Sequence, residues 1–324
     1  MSAAAEAVTE LHGDIAPGPH VITIGNFDGV HLGHRHLIGQ LRELAVRHNA
    51  RPLVVTFEPH PTSVLRPDPP LQRIVTPERK LELLRSAGID DILVIEFDRE
   101  FANLSPEAFL DYLVPRTTPA AILVGDNFRF GRARSGDGDL LRSYGSQHGF
   151  VTELIEQCLI DGAPASSSRI RRHVQAGELP EAEALLGRRF RLSGVVRDGM
   201  ARGRDMGFPT ANLTPPSGLC IPADGIYAAY ARTAEQPNLP RETLVYIGAS
   251  PTFDPRERLV EAHILDFSGD LYATELELEF IAFLRGDQAF DSVDALVAQM
   301  QRDEAAARQL FKDTHPEAEA EAAR

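Results

Sequence analysis

Short apolar runs alternate with amphipathic stretches through the first half of the chain. Val21–Gly25, Leu53–Phe57, Ile92–Phe97, Ala121–Gly125 and Val151–Ile155 read as strands. After the first of them, Leu37, Ile38, Leu41, Leu44 and Ala45 fall on one helical face. Thr76-Pro77-Glu78 and Ser105-Pro106-Glu107 each read as an N-cap, a Pro at the first helical position and an acid in the first turn, and Gly88 sits at a helix stop. Alternation of this kind predicts a doubly wound parallel sheet with helices on both faces, and ligands bind such sheets at the C-terminal ends of the strands. After Arg188 the pattern changes. Phe190–Val196, Gly225–Arg232, Thr243–Gly248, Leu259–Leu265 and Glu275–Phe283 read as strands with no helix between them, and Glu275–Phe280 alternates as a half-exposed antiparallel strand does. A helix from about Ser292 to Phe311 closes the chain. The expected shape is an antiparallel six-stranded β-barrel with a terminal helix. The expected domains are residues 1–187 and 188–314, followed by a solvated, disordered tail over 315–324.

The chain has 324 residues, enough for two cores. Its formal net charge of −14 argues against a nucleic-acid binder or an anionic-membrane binder, so any polyphosphate must meet a local basic pocket. Two cysteines, Cys158 and Cys220, are too few for a disulfide framework and fit a reducing compartment. The first residues, MSAAAEAVTELHGD, lack the basic region and apolar core of a secretory signal, and no apolar run is long enough to span a bilayer. A cytoplasmic protein is expected.

The stretch VITIGNFDGVHLGH, Val21 to His34, carries the most chemistry. An apolar run breaks at Gly25 into a polar loop, and His31, Gly33 and His34 follow as a helix begins. Backbone N–H groups and the helix dipole at such a start favour an anion, imidazoles can donate to phosphate oxygens, and Gly33 allows close approach. Without context, two such histidines read as capping or surface residues. This loop resembles the His-x-Gly-His signature of nucleotidylyltransferases, and GNFDGVHLGH is similar to the form carried by the bifunctional riboflavin kinase/FMN adenylyltransferase (FAD synthetase) family. Three further segments match that family: Phe57–Pro61, Gly125–Gly131 and Ser166–Arg171. All three fall on the same predicted sheet edge as the histidines, although singly they also read as a helix cap, core phenylalanines and a solvated arginine face. The resemblance implies that His31 and His34 hold phosphates and stabilise developing charge. It places Gly25, Phe27, Asp28 and Gly33 at the ATP phosphates, with Ser167, Ser168 and Arg169 binding the triphosphate. Asn127 and its aromatic neighbours hold adenine or flavin, and Pro59, His60, Phe128 and Phe130 are flavin-binding. The family commonly has Thr at the position of Ser168.

In the second half the resemblance rests on Gly203-Arg-Asp-Met-Gly-Phe-Pro-Thr-Ala-Asn212, Gly225–Tyr227, Gly248–Phe253 and Val260-Glu-Ala-His263. GFPTAN is similar to the riboflavin kinase fingerprint. Gly203 and Gly207 would let a loop fold over phosphates, and Thr210 and Asn212 would offer hard oxygen ligands to Mg²⁺. Glu261 is the expected base for a ribityl hydroxyl, against the ordinary reading of an outward strand carboxylate. Two positions depart from the family: Asp198-Gly199-Met200 stands for a His-Gly-Asp-like turn, and Ala273 follows Leu271-Tyr272 where relatives often have Gly. If that position takes positive φ, Ala costs on the order of 1 kcal/mol there. The resemblance implies riboflavin plus ATP giving FMN in the second domain, then FMN plus ATP giving FAD and pyrophosphate in the first. The alternatives are adenylyl transfer alone, a catalytically silent flavin-binding regulator, or a nucleotidylyltransferase acting on another phosphate. Expected partners are the small molecules riboflavin, FMN and ATP. The apolar residues of the helix after the His loop could equally serve a weak homo-oligomeric contact.

Overall fold

A computed structural model describes residues 10–13, 15–197, 208–249 and 258–314. The expectations for Gly203, Gly207, Asp198 and the tail lie outside those residues. The chain divides into two compact units, residues 1–167 and 168–324.

The first unit contains strands β1 (Glu10–His12), β2 (His20–Ile24), β3 (Arg51–Glu58), β4 (Asp91–Glu96), β5 (Pro119–Gly125) and β6 (Val151–Ile155), then the short pair β7 (Leu159–Ile160) and β8 (Ala163–Pro164). Its helices are α1 (Leu32–Arg47), α2 (Pro61–Leu65), α3 (Pro77–Ser86), α4 (Pro106–Thr117) and α5 (Gly138–His148). The strand order in the main sheet is β1-β4-β3-β2-β5-β6. All neighbours pair in parallel except β1, which lies antiparallel on the β4 edge. On one face Val21, Val54, Ile92 and Leu123 pack with Ile38, Leu41 and Leu44 of α1 and Leu83 and Leu84 of α3. On the other face Ile22, Ile24, Val55 and Ile122 pack with Phe109, Leu110 and Leu113 of α4 and Leu141 of α5. Both faces are covered, which is why these strands read as continuous apolar runs. The capping expectations hold: Thr76 Oγ1 accepts from Arg79 N at 3.2 Å, and Ser105 Oγ accepts from Ala108 N at 3.1 Å. Strand order reverses at β2, so the loops after β2 and β5 flank the crevice where doubly wound sheets bind ligands.

The second unit begins in α6 (Ser167–Ala176) and continues through α7 (Leu179–Leu186), β9 (Arg191–Arg197), β10 (Ala211–Thr214), β11 (Gly225–Thr233), β12 (Gln236–Ala249), β13 (Arg258–Ile264), β14 (Glu275–Arg285) and α8 (Val293–Asp313). The strands close a barrel in the order β10-β13-β12-β11-β14-β9, with every pair antiparallel. Its interior is filled by residues such as Val196, Leu213, Tyr227, Val245, Val260, Leu278 and Phe280. Ala307 and Phe311 of α8 cover Ala228, Tyr230 and Leu244 on the outside, and Asp303 accepts from Arg285 Nε and Nη2 at 3.0 and 2.8 Å. The unit boundary precedes the change of pattern at Arg188 by twenty residues, because α7 packs on β14 of the barrel. Only five of the barrel strands were legible as apolar runs. The sixth, β10, comes from the GFPTAN segment itself.

Ala273 has φ +58°, so the condition attached to this departure is met. Its N–H donates to Val196 O at 3.0 Å, fixing the conformation. Ala273→Gly is expected to stabilise the second unit by about 1 kcal/mol. Urea unfolding followed by circular dichroism measures this, the chain having no Trp.

Candidate active sites

His31 is the N-cap of α1, and its Nδ1 accepts from His34 N at 3.4 Å. The His31 and His34 rings stack with centroids 3.7 Å apart and planes at 21°, and Phe27 backs His34 at 5.0 Å. His31 is only 4% exposed, so its ring direction is set by packing. A Cβ at Gly33 would lie 3.1 Å from both the His31 ring and Ala165 O. Gly33→Ala should therefore displace the His31 ring and lower kcat for the adenylyl transfer expected at this loop about tenfold, with the phosphoryl transfer expected at the barrel unchanged. Steady-state kinetics of the two reactions checks this.

Backbone tethers hold the loop. Gly25 N donates to Val55 O at 3.0 Å, and Ser167 Oγ donates to Asp28 O at 2.8 Å. The side chains of three expected ligands are engaged within the protein. The Asp28 carboxylate is buried and accepts from Ile74 N at 3.0 Å, so it fastens the loop instead of facing an anion. The Phe27 side chain is wholly buried in the core. Phe130 is 8% exposed, lies in the core with Phe109 and stacks on Phe128 at 5.4 Å, so it supports Phe128 and offers no free face. Asn127 is exposed and Phe128 half-buried at the end of β5. Pro59 is exposed after β3, and His60 caps α2 by accepting from Thr62 N at 3.1 Å. Ser167 opens α6, and Ser168 and Arg169 follow in its first turn at the start of the second unit.

A charge pattern separates these helices from the others. The first turns of α1, α2 and α6 carry no acid. Those of α3, α4, α5, α7 and α8 carry Glu78, Glu107, Asp139, Glu181 and Asp294. An acid stabilises a helix N-terminus, and its omission leaves that end for an outside anion. This signal was present in the sequence.

On the barrel, Asn212 pairs directly with Glu261, and Glu261 with Tyr246. Directly opposed residues of antiparallel strands share a face, so Arg197, Asn212, Glu261 and Tyr246 form a row across β9, β10, β13 and β12 on the outside of the barrel. Burial pushes the Glu261 carboxyl above its ordinary value. Tyr246 donates to Asp287 Oδ2 at 3.2 Å, and its hydroxyl is pushed up to about 12, mainly by burial, so it stays protonated at neutral pH. His263, on the same strand face as Glu261, donates from Nδ1 to Pro209 O at 2.8 Å and packs against Phe208 at 5.2 Å, tethering the segment that leads to half-buried Thr210. Tyr246 and His263 were not assigned roles from sequence. Their placement depends on strand register. Among the described residues no group of three or more His, Cys, Asp or Glu side chains could hold a metal.

Residues 15–169 match the family model for FAD synthetase, and residues 186–311 match that for riboflavin kinase. The bifunctional riboflavin kinase/FMN adenylyltransferase of Escherichia coli (strain K12) is 38% identical over 297 residues, covering 91% of this chain and 94% of that protein. The chain belongs to the bifunctional riboflavin kinase/FMN adenylyltransferase family. A member from Pseudomonas fluorescens is 37% identical over 293 residues, covering 90% of this chain and 92% of its own. A solved structure described as a macrolide-efflux protein from Streptococcus pneumoniae superposes with a TM-score of 0.82 at 29% identity, covering 91% of this chain and 96% of that one. No helix among the described residues is long and apolar enough to cross a membrane. The family match spans both units, and the stretch between its two models, residues 170–185, holds most of α6 and α7.

Proposed function

We propose that the second unit transfers the γ-phosphoryl group of ATP to riboflavin, and that the first unit joins the FMN so formed to the adenylyl group of a second ATP. The observation that carries this reading is that relatives of that activity align across both units; the stacked His31 and His34 rings in the first and the pairing of Asn212 with Glu261 in the second support it. In the first unit an FMN phosphate oxygen attacks the α-phosphorus of ATP, and the bond to the β-phosphate oxygen breaks to release pyrophosphate. The nucleophile is already anionic, so the protein positions it and neutralises charge. His31 and His34 donate to the phosphates from the start of α1, where the helix dipole favours an anion. Ser167 binds the triphosphate through its backbone N–H at the start of α6, its hydroxyl being given to Asp28 O. Asn127, Pro59, His60 and Phe128 hold the base or the flavin.

In the second unit Glu261 takes the proton of the ribityl hydroxyl as its oxygen attacks the γ-phosphorus, and ADP leaves. Thr210 and Asn212 offer oxygen donors to Mg²⁺, which needs few protein ligands when phosphates and water supply the rest. Those two residues would hold the ion, which would supply positive charge to offset that of the ATP phosphates. A second reading, adenylyl transfer alone, is favoured by the left-handed Ala273. A strain of about 1 kcal/mol is too small to silence a catalytic site. Neither cysteine is in a disulfide, which supports a cytoplasmic protein.

A chromatographic time course with riboflavin, excess ATP and Mg²⁺ tests the proposal. FMN should appear first and then convert to FAD. FMN accumulating alone would remove the His-loop assignment, and FAD formed only from added FMN would remove the kinase.

A further inference from the structure

At the end of β3 lie buried polar groups that adenylyl transfer does not use. Lys80, in α3, is 4% exposed. Its Nζ donates to Glu58 Oε1 at 2.6 Å, to Phe57 O at 3.1 Å and to Thr56 Oγ1 at 3.3 Å, all at the end of β3. An ammonium has three donors, so Lys80 is fully engaged and offers nothing to a substrate. Arg73 donates to the other Glu58 oxygen at 3.1 Å. Burial lowers the Lys80 pKa, opposed by the Glu58 and Asp28 charges and assisted by Arg73. A buried charge held this firmly, at the sheet edge that carries the reaction, needs an explanation beyond packing.

The connections run on to the His loop at two points. The Thr56 hydroxyl accepts from Lys80, which leaves its single proton for Asn26 O, 3.2 Å away. One residue beyond Arg73, Ile74 N donates to the Asp28 carboxylate at 3.0 and 3.2 Å. Ile74 also fills the space over Gly29, where a Cβ would come within 3.0 Å of its side chain. Between and beside these anchors Phe27 and Val30 hold φ of +52° and +39°. Non-glycine residues keep such angles only where the surroundings over-determine them, and a β-branched residue there is rare. The next residue is His31.

We infer that Lys80 is a positioning residue for adenylyl transfer: through Thr56 and Glu58 it holds the Asn26–Val30 turn so that His31 and His34 stack at the start of α1. The inference rests on reading the His loop as the adenylyl-transfer site. Lys80 touches no reacting atom, and its effect passes through the loop backbone.

The test uses the full chain with Lys80→Met, Thr56→Val, the double variant and Lys80→Arg. FMN adenylylation is measured alongside riboflavin phosphorylation, which reports the integrity of each preparation. Lys80→Met should lower kcat for FAD formation about 10- to 100-fold, the scale expected when reacting groups are misplaced by about 1 Å. The KM values should change far less, and the kinase rate should not change. Thr56→Val breaks the same link without removing a charge, so it should show the same kind of loss. The double variant should lose little more than Lys80→Met, because neighbours in one network are not additive. Lys80→Arg keeps the charge and should recover part of the rate. Losses that multiply in the double variant, or an unchanged kcat in Thr56→Val, overturn the inference, the latter even if Lys80→Met fails to fold. If the unaltered chain makes no FAD from FMN, the site reading fails and takes the inference with it. If the unaltered chain is active and the variants match it, only the positioning role falls.

Discussion

Replacing Glu261 by Gln is expected to lower FMN formation from riboflavin by about 100- to 10,000-fold, the range a positioned general base contributes. Adenylylation of added FMN should continue at the original rate, because that chemistry belongs to the other unit. The variant keeps side-chain size and the β13 pairing to Asn212 and Tyr246 while removing the basic oxygen. The pH dependence makes the expectation sharper. Burial raises the Glu261 pKa above its ordinary 4.5, and a base works only when ionised. The acid limb of kcat/KM for riboflavin should therefore lie above the ordinary carboxylate range, and Glu261→Gln should lose that limb together with most of the rate. Stability should move the opposite way. A carboxyl whose pKa is higher in the fold than in the unfolded chain favours the fold fully below the unfolded value, and that contribution is lost as pH rises through the folded value. Glu261→Gln should thus raise Tm at pH 8 more than at pH 4. A retained kinase rate would remove Glu261 as the base.

His31→Ala should reduce FAD synthesis by about 100- to 1,000-fold, as loss of one donor to developing charge does, and leave riboflavin phosphorylation intact. Alanine also removes the acceptor that caps α1, at a cost of about 1 kcal/mol. His31→Asn separates the two effects, since Asn is among the best N-caps but lacks the imidazole. Stability should return in the Asn variant and activity should not. FMN adenylylation and thermal unfolding on both variants measure this, and adenylylation near the original rate in both would displace His31 from the reaction.

The chain's apolar pattern alone determined the parallel strands, because a strand buried on both faces must be apolar at consecutive positions. The Thr-Pro-Glu and Ser-Pro-Glu triplets located the caps at Thr76 and Ser105, whose partners lie three residues away. The family motifs fixed attention on His31, His34 and Glu261, but patterns of this kind are local. Three-residue β1 and four-residue β10 are too short to show a period, and β12 begins seven residues before the apolar run that predicted it, across a segment with Pro237 and Pro240. Asn212 meets Glu261 only because the barrel closes with one register, in which distant segments become direct neighbours. Lys80 reads as one more polar residue on an amphipathic helix, and only the end of β3 turns it inward as the partner of Glu58. Asp28 and Phe130 carry motif identities, yet the Ile74 backbone claims one and the core under α4 claims the other. Near neighbours along the chain set element type and capping, so the sequence alone could determine them. Partner choice, burial and the direction of each functional side chain depend on contacts between remote segments, and only the tertiary structure decided those.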